Sequence, residues 1–198
     1  MNRRHALELF ASAFALAAAA GCTESKPQFK AIDLTGADYA KDFHLTDQNG
    51  QPRSLADFRG KVVVLFFGYT QCPDVCPTTM ADLAQAKKAL GADADKLQVL
   101  FVTVDPERDT APLLKAYMAN FDPTFLALRG TSEQTEQVAK DFKVYYKKVD
   151  GPTPATYTMD HSAASYVYDK QGRLRLYARY GNGPEALVSD LKLLMQQG

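Results

Sequence analysis

One run of apolar residues constrains the fold of this chain most strongly. It reads VVVLFF from Val62 to Phe67 and contains only β-branched, leucine and phenylalanine side chains. A strand that faced water on one side would alternate apolar and polar residues, so this run is typical of a parallel strand covered on both faces. Gln98 to Val104 repeats the pattern, and Asp105-Pro106 ends it. The sequence therefore predicts a mostly parallel central sheet flanked by helices.

Helical patterns alternate with these strands along the chain. Amphipathic stretches begin near Pro77, Thr110, Thr131 and Pro184, at residues that favour helix starts. Between the last two helices, the alternating runs 164–168 and 174–178 surround a turn and predict a β-hairpin. This order predicts an α/β fold with a C-terminal hairpin and helix. Ligands of such sheets bind beyond the carboxyl ends of the parallel strands.

Cys72 and Cys76 lie at such a position, between the first buried strand and the helix after it. A structural disulfide would close only a short loop here and stabilise the fold by about 2 kcal/mol, which disfavours this interpretation. The interpretation of the two cysteines as unreactive thiols is also disfavoured, because a helix N-terminus lowers the pKa of an adjacent cysteine. We therefore expect Cys76, just before the predicted helix, to have a lowered pKa. Thiol–disulfide exchange and metal binding remain as the two active interpretations.

Histidines supply the further ligands that a metal site would need. His44 and His161 are the histidines outside the N-terminal segment, so a four-ligand zinc site would have to use both with the two cysteines. Two thiolates and one imidazole suit copper instead, because Cu(I) prefers sulfur and imidazole also accepts Cu(II). His161 is the expected third ligand, because it follows a loop rich in proline and glycine and precedes a predicted strand. Asp160 beside it is a candidate to orient the imidazole ring.

The N-terminus has the features of an export signal. Arg3 and Arg4 precede an apolar stretch of residues 9–20, which is too short to span a bilayer, and small residues lead to Cys22. Cleavage before a cysteine of this kind is typical of bacterial lipoproteins, with Cys22 as the lipidated residue. We expect a signal peptide over residues 1–21, a flexible tether over 22–42 and one folded domain over 43–198.

Charge composition narrows the range of partners. The chain carries 23 basic and 23 acidic side chains, which offers no electrostatic reason to expect a nucleic acid. If Cys22 carries lipid, only Cys72 and Cys76 are left for chemistry. Export also allows disulfides to persist, as they do in a periplasm.

Four blocks of sequence resemble the SCO/SenC family of thioredoxin-like copper proteins. They read FFGYTQCPDVCPTTM from Phe66, VTVDPERDT from Val102, MDHSA from Met159 and DKQGRLRLYARYG from Asp169. The resemblance covers about residues 43–195. It implies a thioredoxin-like fold and one copper ion, Cu(I) or Cu(II), held by Cys72, Cys76 and His161.

The resemblance also implies a cellular role. Family members support assembly of the dinuclear copper centre of cytochrome c oxidase, by delivering copper, by reducing the cysteines of that centre, or both. We therefore expect a copper metallochaperone without turnover of its own, lipid-anchored in a bacterial envelope and facing the periplasm. Its expected partners are a copper-receiving oxidase subunit, a periplasmic thiol reductase and other copper chaperones. The alternative is a thiol–disulfide oxidoreductase that uses Cys72 and Cys76 without obligatory copper, and His161 discriminates between the two.

Overall fold

A computed structural model describes residues 28–153 and 156–197 of the chain. The strands in these ranges are β1 (Ile32–Asp33), β2 (Leu45–Asp47), β3 (Pro52–Arg53), β4 (Val62–Gly68), β5 (Leu97–Thr103), β6 (Leu126–Arg129), β7 (Tyr146–Val149), β8 (Thr158–His161), β9 (Ala164–Tyr168) and β10 (Leu174–Arg179). The α-helices are α1 (Val75–Ala89), α2 (Ala111–Ala119), α3 (Ser132–Asp141) and α4 (Gly183–Gln196). Two 3-10 helices span Leu55–Phe58 and Gly91–Lys96.

Eight strands form one sheet in the order β1-β10-β9-β4-β5-β6-β2-β3, and β7 and β8 form a separate two-stranded ribbon. The predicted α/β class is confirmed, with β4, β5 and β6 parallel at the centre. The sheet as a whole is mixed, because β9, β10 and β1 on one side and β2 and β3 on the other are antiparallel to their neighbours. Apolar runs indicate that a strand is buried but do not indicate the direction of its neighbour.

The two central strands explain why the apolar runs lack alternation. Every residue of β4 and β5 is buried, and they pair in register from Val62 opposite Leu97 to Gly68 opposite Thr103. Both faces of these strands pack inside the hydrophobic core. Their carboxyl ends therefore meet at one edge, where the chain leaves β4 at Gly68.

Helix starts follow the predicted signals closely. Thr110 caps α2 by accepting a hydrogen bond from the amide of Leu113, and Thr131 with Gln134 forms the expected capping box of α3. The first helix differs from its prediction, because α1 begins at Val75 rather than near Pro77. Proline is tolerated in a first helical turn, where its missing amide hydrogen would have no partner in the helix. Cys76 therefore lies inside the first turn of α1.

The segment expected as a tether is partly folded onto the domain. Within residues 28–42, β1 pairs with β10 at the sheet edge, and Ala40 is buried. The carboxylate of Asp190 in α4 accepts backbone hydrogen bonds from Lys30 and Ala31, both at 2.8 Å. A strand of two residues is too short to show a period in the sequence. The predicted signal peptide, Cys22 and residues 22–27 lie outside the described residues.

The other difference from the expected layout is the β7–β8 ribbon. The sequence predicts an irregular loop from Val149 to Met159, whereas Thr158–His161 forms β8 and pairs with β7. The pairing places His161 opposite Tyr146. His161 thus ends a strand rather than a loop, and its backbone position is set by hydrogen bonds of the ribbon.

Among the described residues, no helix combines the length and the apolar character needed to cross a bilayer.

Candidate metal centre

The turn after β4 places both cysteines at the edge of the sheet. The amide of Cys72 donates a hydrogen bond to the carbonyl of Tyr69 at 3.3 Å, and α1 begins three residues after Cys72, at Val75. Cys76, in the first turn of α1, is fully buried, whereas Cys72 is half-buried. Both thiols are free, so the dithiol is in its reduced form.

His161 reaches the cysteines from the β7–β8 ribbon. Its Nε2 atom lies 3.3 Å from Sγ of Cys76, and its Nδ1 atom lies 3.0 Å from the carbonyl oxygen of Ser162. A carbonyl oxygen only accepts, so Nδ1 carries the hydrogen and donates it. In a neutral ring the lone pair is then on Nε2, which points at the sulfurs. The backbone of Ser162, rather than Asp160, orients the ring.

The ligand atoms of Cys72, Cys76 and His161 all lie within 4.8 Å of one another. Metal–sulfur and metal–nitrogen bonds are about 2.0–2.3 Å long, so a small inward movement would bring all three onto one ion. Two sulfurs and one imidazole nitrogen form a soft donor set, which fits copper. The three residues predicted as ligands are thus gathered at one place, although 85 positions separate Cys76 from His161.

The two thiols have opposite acidities. Hydrogen bonding from the Cys76 thiol, helped by the amides of Asp74 and Cys76, lowers the pKa of Cys72 to about 3. The same hydrogen bond to Cys72, together with burial, raises the pKa of Cys76. The expectation of a lowered pKa at Cys76 is therefore wrong. Free amides at a helix N-terminus point back toward the preceding residues, so the Cys76 amide stabilises the Cys72 sulfur, at 3.4 Å.

A family model described as SCO1/SenC matches residues 33–196 of the chain. The chain belongs to the SCO1/SenC family. It is 37% identical over 153 residues to the mitochondrial SCO2 homolog of Mus musculus, a match that covers 76% of this chain and 60% of that protein. It thus spans less than two thirds of the length of that relative.

Two solved structures have the same fold as this SCO1/SenC protein. Bradyrhizobium japonicum ScoI with copper bound is 41% identical, with a TM-score of 0.72, and 77% of this chain and 97% of that chain are covered. Apo Sco1 from Thermus thermophilus is 38% identical, with a TM-score of 0.76 and coverage of 86% of this chain and 99% of that chain. The thioredoxin-like fold implied by the sequence resemblance is confirmed.

Sequence reasoning missed Gly68, which leaves room for the sulfur of Cys76 in this SCO1/SenC protein. A Cβ atom at Gly68 would lie 2.8 Å from that sulfur and equally close to the ring of Phe101, nearer than such contacts allow. A glycine that ends an apolar strand is a signal of such close approach. The rings of Phe66 and Tyr69 pack edge-on against His161, with centroids 6.0 and 5.8 Å from the imidazole. These apolar neighbours restrict the imidazole to few orientations.

An open groove of about 340 Å³ connects the ligands to solvent. Cys72 and His161 line it, with Asp74 and Asp160 among its other lining residues. Cys76 is fully buried and does not line the groove. A ligand or partner thus reaches the site from the side of Cys72 and His161.

The zinc alternative finds no support in this geometry. The side chain of His44 is 83% exposed and lies beside Asp42, with Nε2 3.8 Å from the carboxylate. His44 directly precedes β2, and β2 lies three places from β4 in the sheet. Among the described residues, the group of candidate ligands at the dithiol contains Cys72, Cys76 and His161 but not His44.

The acidic and basic residues after β5 hold the loops around the site. Buried Asp109 accepts hydrogen bonds from the hydroxyls of Thr70 and Thr103, at 2.5 and 2.6 Å, and from the amide of Thr70. Burial nonetheless raises the pKa of Asp109. Asp105 accepts from the hydroxyl of Tyr157 at 2.7 Å and pairs with Arg108. These polar residues connect β5 to both ligand-bearing segments.

Proposed function

We propose that this protein binds one copper ion through Cys72, Cys76 and His161 and acts as a copper metallochaperone. The observation that carries the proposal is the convergence of three soft ligand atoms within 4.8 Å from two distant segments. Bradyrhizobium japonicum ScoI, which is 41% identical, has copper bound in its solved structure, and this supports the choice of metal. Family membership supports a role in assembly of the dinuclear copper centre of cytochrome c oxidase.

The three ligand residues differ in whether they must lose a proton to bind the ion. Cys72 offers a thiolate at neutral pH, because its lowered pKa keeps it deprotonated. Nδ1 of His161 donates to the carbonyl of Ser162, which leaves Nε2 as the nitrogen that would bind the ion. Cys76 has a raised pKa, so its thiol must release a proton when it becomes a ligand. Copper, when bound, would supply a positive charge that favours this release.

A copper titration tests the site. We expect the reduced protein to bind one copper ion per chain, and His161→Ala, Cys72→Ser and Cys76→Ser each to lose more than about tenfold in affinity. His44→Ala is the matched control, because His44 is an exposed histidine outside the site. Undiminished affinity for Cu(I) and Cu(II) in His161→Ala would overturn the three-ligand proposal.

A second function, thiol–disulfide exchange, is favoured by the unequal environments of the two cysteines. The half-exposed Cys72 thiolate would attack a partner disulfide, forming a mixed disulfide and releasing one partner thiolate. Cys76 would then lose its proton and attack Cys72, releasing the second partner thiol and leaving a disulfide in this chain. The partner gains two electrons and this chain loses two. A dithiol reductase must therefore return the disulfide of this chain to the dithiol form. His161→Ala would retain this exchange while losing copper affinity.

The cellular setting is also part of the proposal. We place the chain in a bacterial envelope, facing the periplasm and anchored by lipid on Cys22 after removal of residues 1–21. Its proposed partners are a copper-receiving oxidase subunit, a periplasmic thiol reductase and other copper chaperones. Mass spectrometry of the mature N-terminus tests the anchor, and an unmodified Cys22 or an intact Met1 would refute it.

A further inference from the structure

Arg108 contacts both segments that bring in the three candidate ligands. Its Nη1 donates to the side-chain oxygen of Gln71 at 3.1 Å and to the backbone carbonyl of Tyr157 at 2.8 Å. Gln71 directly precedes Cys72 in the chain, and Tyr157 directly precedes β8, which ends at His161. One guanidinium group therefore joins the loop of the cysteines to the strand of the histidine.

The guanidinium itself is held firmly in place. Its Nε donates to Asp105, and the two side chains are only 14% and 3% exposed. Its central carbon lies 3.5 Å from the ring centroid of Tyr157, and the hydroxyl of that ring donates to the other oxygen of Asp105. A planar guanidinium can stack on a ring and donate several fixed hydrogen bonds at once, which a lysine ammonium cannot.

The two ligand segments need such a connection because they belong to different sheets. Cys72 and Cys76 follow β4 in the eight-stranded sheet, whereas His161 ends β8 in the separate β7–β8 ribbon. No strand pairing joins the ribbon to the large sheet among the described residues. After His161 the chain continues into β9, which begins at Ala164 and pairs with β4, so the C-terminal end of β8 is tied to the large sheet through the backbone. The N-terminal end of β8 is joined to the loop of the cysteines through the side chain of Arg108.

We propose that Arg108 is a positioning residue of the metal centre, which holds the β7–β8 ribbon so that His161 meets both cysteine sulfurs before metal binds. This inference rests on the proposed copper function and adds a residue that touches no metal. Without Arg108, the ribbon must be ordered during binding, which lowers affinity. Residues that orient metal ligands typically contribute tenfold to a hundredfold in affinity.

The loss should depend on the oxidation state of the metal. Cu(I) is satisfied by two thiolates, whereas Cu(II) depends more on the imidazole. We expect Arg108→Ala to lose about tenfold to a hundredfold in Cu(II) affinity, and less in Cu(I) affinity. Arg108→Lys keeps the charge but loses the paired donors, so it should restore only part of the affinity.

Chelator competition and the visible absorption of the thiolate–Cu(II) complex provide the measurements. The matched control is Arg129→Ala, because Nη2 of Arg129 donates to the carbonyl of Pro106 in the same loop. Among the described residues, the side chain of Arg129 makes no hydrogen bond to either of the two segments that carry the ligands. Should Arg108→Ala not fold, Gln71→Ala carries the test, since it removes one contact at an exposed side chain. Variants with wild-type affinity and spectrum would overturn the proposal.

A double-mutant cycle shows whether Arg108 acts through His161. In a His161→Ala background, Arg108→Ala should cause little further loss of Cu(II) affinity, because the ligand it positions is already gone. The same fold-loss in both backgrounds would mean that Arg108 supports the fold in general, and the proposal would fail.

A measurement without metal separates this inference from the proposed function. The amide of Ser162 donates to the carbonyl of Tyr145, so hydrogen exchange at Ser162 reports on the ribbon. Arg108→Ala should accelerate it about tenfold or more, with core amides of β4 unchanged. If wild-type protein bound no copper, the proposed function would fall, and this exchange rate would still decide the positioning role. Unchanged exchange would refute it.

Discussion

Cys72 and Cys76 are four positions apart in the chain and yet differ in both exposure and acidity. Cys72 is half-buried, lines the groove and has a lowered pKa, whereas Cys76 is fully buried and has a raised one. The thiol of Cys76 and the backbone amides of Asp74 and Cys76 all direct hydrogen toward the Cys72 sulfur. One cysteine is therefore ready to react or bind as a thiolate, and the other holds the proton.

This difference predicts selective alkylation of the reduced, metal-free protein. Cys72 should react with iodoacetamide at a rate that stays nearly constant between about pH 5 and 8, because its lowered pKa keeps the thiolate populated across that window. Cys76 should react only on unfolding. Peptide mass mapping identifies the modified residue, and the Cys72→Ser variant is the control. Faster modification of Cys76 would contradict the assignment.

Gly68 gives a second prediction at the scale of one residue. Gly68→Ala should displace the Cys76 sulfur, with a loss of about 1–3 kcal/mol in the free energy of unfolding and a weaker copper site. Gly130→Ala is the matched control, because its Cβ would approach Leu45 and Gln134 equally closely, at 2.8 Å, away from the ligands. Chemical denaturation and copper titration measure the two effects. Equal copper affinities in the two variants would argue against the role of Gly68.

Secondary-structure elements differ in how they are attached to the fold. β4 and β5 pair over their full length inside the core, whereas β1 has two residues and β7–β8 is a separate ribbon. Short elements at an edge depend on specific polar contacts, because they bury little apolar surface. Asp190 provides such contacts for β1, and Arg108 provides them for β8.

Asp190 gives a prediction at the scale of an element. Its two hydrogen bonds fasten the segment before β1 to α4, so Asp190→Ala should speed hydrogen exchange at the amides of Lys30 and Ala31. The free energy of global unfolding should fall by at most about 3 kcal/mol. Glu185→Ala, in the same helix, is the control. Unaltered exchange at both amides would show that Asp190 does not hold the segment.

The whole molecule couples metal binding to the redox state of the dithiol. A disulfide between Cys72 and Cys76 would remove both thiolates, so copper should stabilise only the reduced protein. At a free copper concentration about 100 times the dissociation constant, stabilisation should be about 2.7 kcal/mol. For a domain of this size, that corresponds to a rise in Tm of about 5–10 °C.

Thermal unfolding of both redox forms, with and without copper, measures this effect. Cys72→Ser serves as the control, because it cannot form the disulfide and lacks one ligand. A rise in Tm of the same size in the disulfide form would mean that copper binds elsewhere.

The sequence by itself determined the elements that depend on local pattern. Unbroken apolar runs identified β4 and β5, capping residues identified the starts of α2 and α3, and two cysteines at a strand–helix junction marked the site. These features follow from nearest neighbours along the chain and from burial, which leave a periodic or compositional trace. His161 was found through the family resemblance and the chemistry of the ligand set.

Only the tertiary structure decided how distant segments meet. It placed β9 antiparallel to β4, folded residues 28–42 onto the domain and made a strand of the segment that carries His161. It also reversed the expected acidity of the cysteines, because a pKa depends on burial and on hydrogen bonds that no spacing reveals. Contacts such as those of Arg108 join residues dozens of positions apart, and their cause is three-dimensional packing rather than local pattern.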